Sequence, residues 1–151
     1  FRSLPHRLEV VGTYNGVTFV DDSIATVPEA TLAALEALGP GVQTLIVGGH
    51  ERNLDFTEFG SRLPPHVRTV ILFPSTGPRI WKAIQQHSRS VPLPEPFFVS
   101  TMEEAVKTAY ARTEPGATCL LSPASPSFGM FKDYRERGES FRALVSKLSN
   151  S

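Results

Sequence analysis

Residues 17–49 read VTFVDDSIATVPEATLAALEALGPGVQTLIVGG, and this stretch decides the fold class. It opens on a short β-rich run, Val17–Val20, and closes on an apolar one, Gln43–Val47, that ends in Gly48-Gly49. Between them Val27, Ala30, Ala34, Leu35 and Leu38 recur at helical spacing. Thr26 and Glu29 are spaced as a capping box, Pro28 suits a first turn, and Gly39-Pro40 stops the helix. A strand, a helix and a second strand in succession predict a right-handed crossover between parallel strands.

The same alternation continues outward. Upstream, Leu8–Tyr14 and Val17–Val20 flank Asn15-Gly16, the dipeptide best suited to the positive φ angles of a tight hairpin. Downstream, Phe56–Leu63 predicts a short helix, Val67–Phe73 a strand, Gly77–His87 a helix and Phe97–Val99 a strand. Thr101-Met102-Glu103-Glu104 is a second capping box, opening a helix to about Arg112. Thr118–Leu121 is the last expected strand, and a final helix is expected from about Met130 to Leu148. Phe131, Tyr134, Phe141, Leu144 and Leu148 form its expected apolar stripe, with Gly138 as its weak point. The expectation is an α/β domain over residues 1–151. It is a Rossmann-like, mostly parallel sheet with helices on both faces, opened by an antiparallel hairpin. Ligands in such folds sit beyond the carboxyl ends of the strands. The polar clusters Asp21–Thr26, Gly48–Asp55, Pro74–Gly77 and Ser122–Ser127 all follow strands.

Composition narrows the function. The 151 residues are 40% apolar and 20% charged, enough for a single core and too uncharged for disorder. Lys+Arg and Asp+Glu balance at 15 each, which leaves no net charge to attract nucleic acid or an anionic membrane. One cysteine, Cys119, excludes an intrachain disulfide and a multi-cysteine zinc site; its apolar strand predicts a buried, inert thiol. Residues 1–7 lack the apolar stretch of a signal peptide, and the chain begins at Phe1, as a fragment would.

Singly, the candidate chemical residues are weak signals. Asp21-Asp22-Ser23 suits a ribose hydroxyl, a metal or an ammonium group, and equally an ordinary polar turn. Gly48–Asn53 lets backbone approach a ligand, with Arg52 able to fork onto a carboxylate or simply to be solvated. No Gly-x-x-x-x-Gly-Lys-Ser/Thr phosphate loop occurs. Ser122–Ser127 sets hydroxyls ahead of a helix, where an anion would be favoured, or where Ser127 would serve as a cap. His6 lacks a recognisable partner, and Trp81 reads as core.

Together they are specific. From Leu4-Pro5-His6-Arg7 through Asp21-Asp22-Ser23-Ile24-Ala25-Thr26, Gly48-Gly49 and LLSPASPSFGMFKDY (120–134) to Glu136-Arg137-Gly138, the chain resembles the C-terminal domain of a Mur ligase. The Asp-Ser-x-Ala-Thr form is most similar to the MurD-type branch, the UDP-N-acetylmuramoyl-L-alanine:D-glutamate ligases of peptidoglycan biosynthesis. The resemblance implies a cytoplasmic, ATP- and magnesium-dependent enzyme that forms an amide through an acyl phosphate. It also implies that UDP-sugar and ATP sites belong to an N-terminal and a central domain absent from this chain, which alone would be inactive. Carried over, His6, Arg7 and Asp22 fall at nucleotide-contacting positions. Thr26, Arg52, Ser127, Phe128 and Tyr134 fall at glutamate-binding positions. No metal ligand and no certain catalytic residue is implied here. Arg52 stands where lysine is usual, and Ile24, Val27, His50 and Gly129 replace lysine, asparagine, aspartate and aspartate. A ligase of the same build that adds L-glutamate or another amino acid, and a non-catalytic α/β ligand-binding module, are the alternatives.

Overall fold

The computed structural model describes residues 4–148. Strands β1 (Glu9–Tyr14) and β2 (Val17–Asp21) form the expected hairpin, with Asn15 at φ 49° and Gly16 at φ 82° across the turn. Helix α1 (Pro28–Leu38) leads through a single 3₁₀ turn to β3 (Val42–Val47), followed by α2 (Thr57–Arg62) and β4 (Thr69–Leu72). The chain continues through α3 (Gly77–His87), β5 (Glu95–Phe98), α4 (Met102–Arg112), β6 (Thr118–Leu121) and α5 (Tyr134–Ser146). The strand order is β1-β2-β6-β3-β4-β5, and every pairing except β1 with β2 is parallel.

Strand alternation divides the core into two layers. Val20, Leu45, Val47, Val70, Leu72 and Leu120 face α1, α2 and α3; Phe19, Ile46, Ile71, Cys119 and Leu121 face α4 and α5. Burial holds the Cys119 thiol neutral by raising its pKa, consistent with an inert core thiol. Trp81 packs against the first layer. Because the five parallel strands point one way, the four polar clusters are carried to one edge.

Four local expectations are corrected. Thr26 does not cap α1: Val27 occupies the cap at φ −133° and ψ 154°, with no side-chain bond. A residue preceding proline is driven out of the helical region, so Pro28 moves the boundary past Thr26 and leaves Val27 outside the core. The second capping box forms, with the Glu104 amide donating to Thr101 Oγ1 at 3.1 Å. The last helix begins at Tyr134 rather than Met130, because the Asp133 carboxylate accepts from the Glu136 amide at 2.9 Å and supplies the cap. Met130 and Phe131 still pack on the core, as loop residues, and Ser127 caps nothing. Tyr134 leaves the stripe and turns its ring edge toward His6, 6.1 Å away between centroids.

Candidate functional site

The entering segment is fastened to the end of β2. His6, at φ 64°, points Nδ1 at the Asp21 Oδ2 carboxylate oxygen, 2.7 Å away, and both side chains are buried. Its backbone N–H donates to Glu9 Oε1, and its carbonyl accepts from the Ile24 amide. Gly138 makes this possible: a Cβ there would lie 2.3 Å from His6 Nδ1 and 2.9 Å from Asp21 Oδ2. The expected weak point of α5 is therefore the place where the helix comes closest to a buried hydrogen-bonded pair. His6, Glu9 and Asp21 bring ligand-type atoms within 4.8 Å of one another. Those atoms are already engaged, since Glu9 also pairs with Arg142 at 2.9 Å and the Nδ1–Oδ2 contact is a hydrogen bond.

Next to this pair lies a cleft of about 380 Å³, lined by Arg7, Leu8, Asp22, Ile24, Ala25 and four alanines of α1. Asp22 accepts the Leu8 amide on Oδ1 at 3.1 Å and the Ser122 hydroxyl on Oδ2 at 2.7 Å. Burial nevertheless raises its pKa, since desolvation outweighs those two bonds. Arg7 is exposed at the cleft. The structure thus brings Arg7 and Asp22 together around one cleft, and sets His6 behind them as a clamp on the segment.

The β3, β4 and β6 loops meet beside this cleft. The Gly48 amide donates to Pro123 O and the His50 amide to Pro126 O, both at 2.8 Å. Thr76 Oγ1 accepts the Gly49 amide at 2.9 Å and bonds Ser125 Oγ at 2.8 Å. His50 and Phe128 touch edge to face with centroids 5.0 Å apart, and Phe128 stays 66% exposed. Ser127 is buried, Thr26 is half-buried, and Arg52 is exposed with no ion pair or side-chain hydrogen bond among the described residues. Phe128 and Ser127 thus lie against the loop carrying Arg52, whereas Tyr134 stands with His6.

Sequence reasoning missed the residues that hold these loops. Arg79 forks onto both Glu51 oxygens at 2.9 and 2.7 Å, bonds Leu54 O and lies over the Phe56 ring, anchoring the loop next to Arg52. The Arg79 bond pulls the Glu51 pKa down to about 2. Arg137 is buried on α5, and Thr76 is buried at the end of β4. The sequence carries a signal for Arg137: positions 137, 141 and 144 fall on one helical stripe, so an arginine there points inward.

Comparisons with known proteins agree with this fold. The Mur ligase, glutamate ligase domain family matches residues 6–125. The UDP-N-acetylmuramoylalanine--D-glutamate ligase of Solibacter usitatus is 40% identical over 98% of this chain. Its counterpart in Caldanaerobacter subterraneus is 38% identical over the same share. In both cases the chain spans 32% of the relative, about a third of its length. The crystal structure of the MurF ligase of Thermotoga maritima in complex with ADP superposes with a TM-score of 0.58 at 23% identity, covering 97% of this chain and 33% of that one. Among the described residues no helix is long and apolar enough to cross a membrane. A match across most of the chain, with relatives close to 40% identical from end to end, makes this chain a member of the Mur ligase family, as its glutamate ligase domain.

Proposed function

We propose that this chain works as the amino-acid-binding domain of a cytoplasmic ligase that joins D-glutamate to UDP-N-acetylmuramoyl-L-alanine at the expense of ATP. The observation that carries this reading is the exposed, unpaired Arg52 guanidinium, on the strand-end edge that also bears Ser127 and Phe128. A guanidinium there meets an incoming carboxylate with two parallel hydrogen bonds. The names of the relatives near 40% identity support D-glutamate over the alternatives.

In this reading the Arg7–Asp22 cleft receives the nucleotide, and its volume falls within the range of small-ligand sites. Each Asp22 oxygen keeps a lone pair for a ribose hydroxyl, and Arg7 faces the phosphates. In this reading the UDP-sugar site, the phosphate loop and magnesium belong to other domains of the full-length ligase. ATP would phosphorylate the UDP-linked carboxylate. Glutamate, its carboxylate on Arg52 and its body among Thr26, Ser127, Phe128 and Tyr134, would attack the acyl phosphate through its amino group, and phosphate would leave. Positioning is the contribution of this domain.

The test is an Arg52 series in the full-length ligase. Arg52→Ala removes a charge-assisted bond worth about 1.5–3 kcal/mol and raises the glutamate KM about ten- to a hundredfold. The ATP KM stays near wild type, and Arg52→Lys recovers much of the loss. An alanine variant with an unchanged glutamate KM would make Arg52 a solvated surface residue and the assignment wrong.

A further inference from the structure

We propose that Arg137 is a positioning residue: from α5 it sets the spacing of the loops that carry Asp22 and Thr26, His50–Arg52, and Ser127–Phe128, without touching a ligand itself. The meaning of that spacing rests on the ligase reading above; the spacing itself does not.

Arg137 is 1% exposed, so nothing in solution reaches it. Its Nε donates to Ser23 Oγ at 3.0 Å and its Nη2 to Ser23 O at 2.7 Å. Its Nη1 donates to Ser125 O at 2.8 Å. One planar group therefore ties the loop after β2 to the loop after β6. Ser23 Oγ in turn donates a hydrogen bond to Tyr134 O at 2.7 Å, which ties the first loop to the start of α5 as well. The loop after β3 closes on the same point. A Cβ on Gly49 would lie 2.5 Å from Pro126 O, 3.3 Å from Ser125 Cβ and 3.4 Å from Arg137 Nη1. Through Ser125 Oγ and Thr76 the loop after β4 joins too.

Stability is a poor reason to keep such a group. Burial of a cation carries a desolvation cost that apolar residues of similar volume avoid. Burial indeed lowers the Arg137 pKa to about 10, against the opposing charge of Asp21, and leaves it a cation at neutral pH. What only the guanidinium supplies is a rigid fork that fixes two carbonyls from separate loops at one distance. Lysine offers a charge without the fork. An error of about 1 Å in such a frame can cost on the order of a hundredfold in rate.

The experiment has two readouts. In the isolated chain, Arg137→Lys should shift and deprotect the backbone amides of Ser23, Gly49 and His50, which donate to Asp21 Oδ1, Thr76 Oγ1 and Pro126 O, in ¹H–¹⁵N spectra and hydrogen exchange. The Ile46 and Leu120 amides should keep wild-type protection. In the full-length ligase the same variant should raise the glutamate KM about tenfold or more. A merely structural arginine would lower only the active fraction, reducing apparent kcat with KM unchanged. Ser23→Ala removes one of the three Arg137 bonds together with the Ser23 Oγ–Tyr134 O bond, keeps the guanidinium in place and should raise the glutamate KM about threefold, less than additively with Arg137→Lys. It keeps the proposal testable if the lysine variant does not fold. Loop amides and glutamate KM that stay at wild-type values in folded variants would overturn the proposal. A wild-type ligase that does not depend on glutamate would instead overturn the ligase reading, while the amide shifts still decide whether Arg137 positions the loops.

Discussion

At the amino-terminal edge of the sheet the connections turn in solvent: Asn15-Gly16, Pro40-Gly41 and Glu114-Pro115-Gly116 are exposed, and the polar pairing of Gln43 with Glu114 is exposed as well. The buried polar groups nearest that edge are threonines, such as Thr44 and Thr113, which bond each other at 2.7 Å. At the carboxyl edge the chain buries His6, Asp21, Asp22 and Arg137 together with Ser23, Ser122, Ser125 and Thr76. Neutral hydroxyls are cheap to satisfy locally, whereas buried charges demand partners from several elements at once. The carboxyl edge is where the molecule accepts a loss of stability in exchange for geometry. That edge is also the one on which the family resemblance places its ligands.

The largest way to break the comparison is to insert one methyl group at each edge. Gly138→Ala drives a Cβ into the His6–Asp21 pair and should cost about 3 kcal/mol, from overpacking and a weakened buried bond. Gly116→Ala, at φ 94° with no atom within 4 Å, should cost about 1 kcal/mol, from backbone strain alone. Urea titrations of both variants measure the gap, and equal costs would abolish the distinction between the edges.

Helix caps sharpen it. Thr101→Ala should cost about 1 kcal/mol, because Thr101 Oγ1 accepts the Glu104 amide. Thr26→Ala should cost less than about 0.5 kcal/mol, because Pro28 has already set the start of α1. A loss at Thr26 equal to that at Thr101 would restore the capping box read from the sequence.

Asp22 and Glu51 give smaller effects with opposite pH dependence. The folded-state pKa of Asp22 lies above 3.8, so the native chain takes up its proton before the unfolded chain does. Its ionised form therefore lowers stability at neutral pH, and that cost disappears as pH falls through the raised pKa toward 3.8. Asp22→Asn should show its best urea midpoint relative to wild type at pH 7 and lose that margin by pH 4. Glu51 runs the other way: its stabilisation is complete above 4.5 and is lost as pH falls toward about 2. Its pairing with Arg79 is partly exposed, so Arg79→Met should remove only about 0.5 kcal/mol of that acid-sensitive stability. A margin for Asp22→Asn that grows on acidification would reverse the assigned direction.

Periodicity and turn chemistry made the alternation of strands and helices legible, together with the Asn15-Gly16 hairpin, the parallel sheet and the edge that gathers the polar loops. Those features depend on residues a few positions apart, where backbone conformation and a repeat of two or 3.6 are decisive. The family pattern groups His6, Arg7 and Asp22; in the fold Arg7 and Asp22 line one cleft, and His6 bonds Asp21 instead. Only the tertiary structure decided that His6 clamps onto Asp21, that Gly138 is required by that clamp, and that Arg137 joins Ser23 to Ser125. These partners come from separate elements, and Ser23 and Arg137 are 114 positions apart. A local rule cannot see a hydrogen bond whose two ends meet only after the sheet has formed. The same physics displaced the caps of α1 and α5: Thr26 and Met130 were plausible starts, and Pro28 and Asp133 offered the backbone better ones.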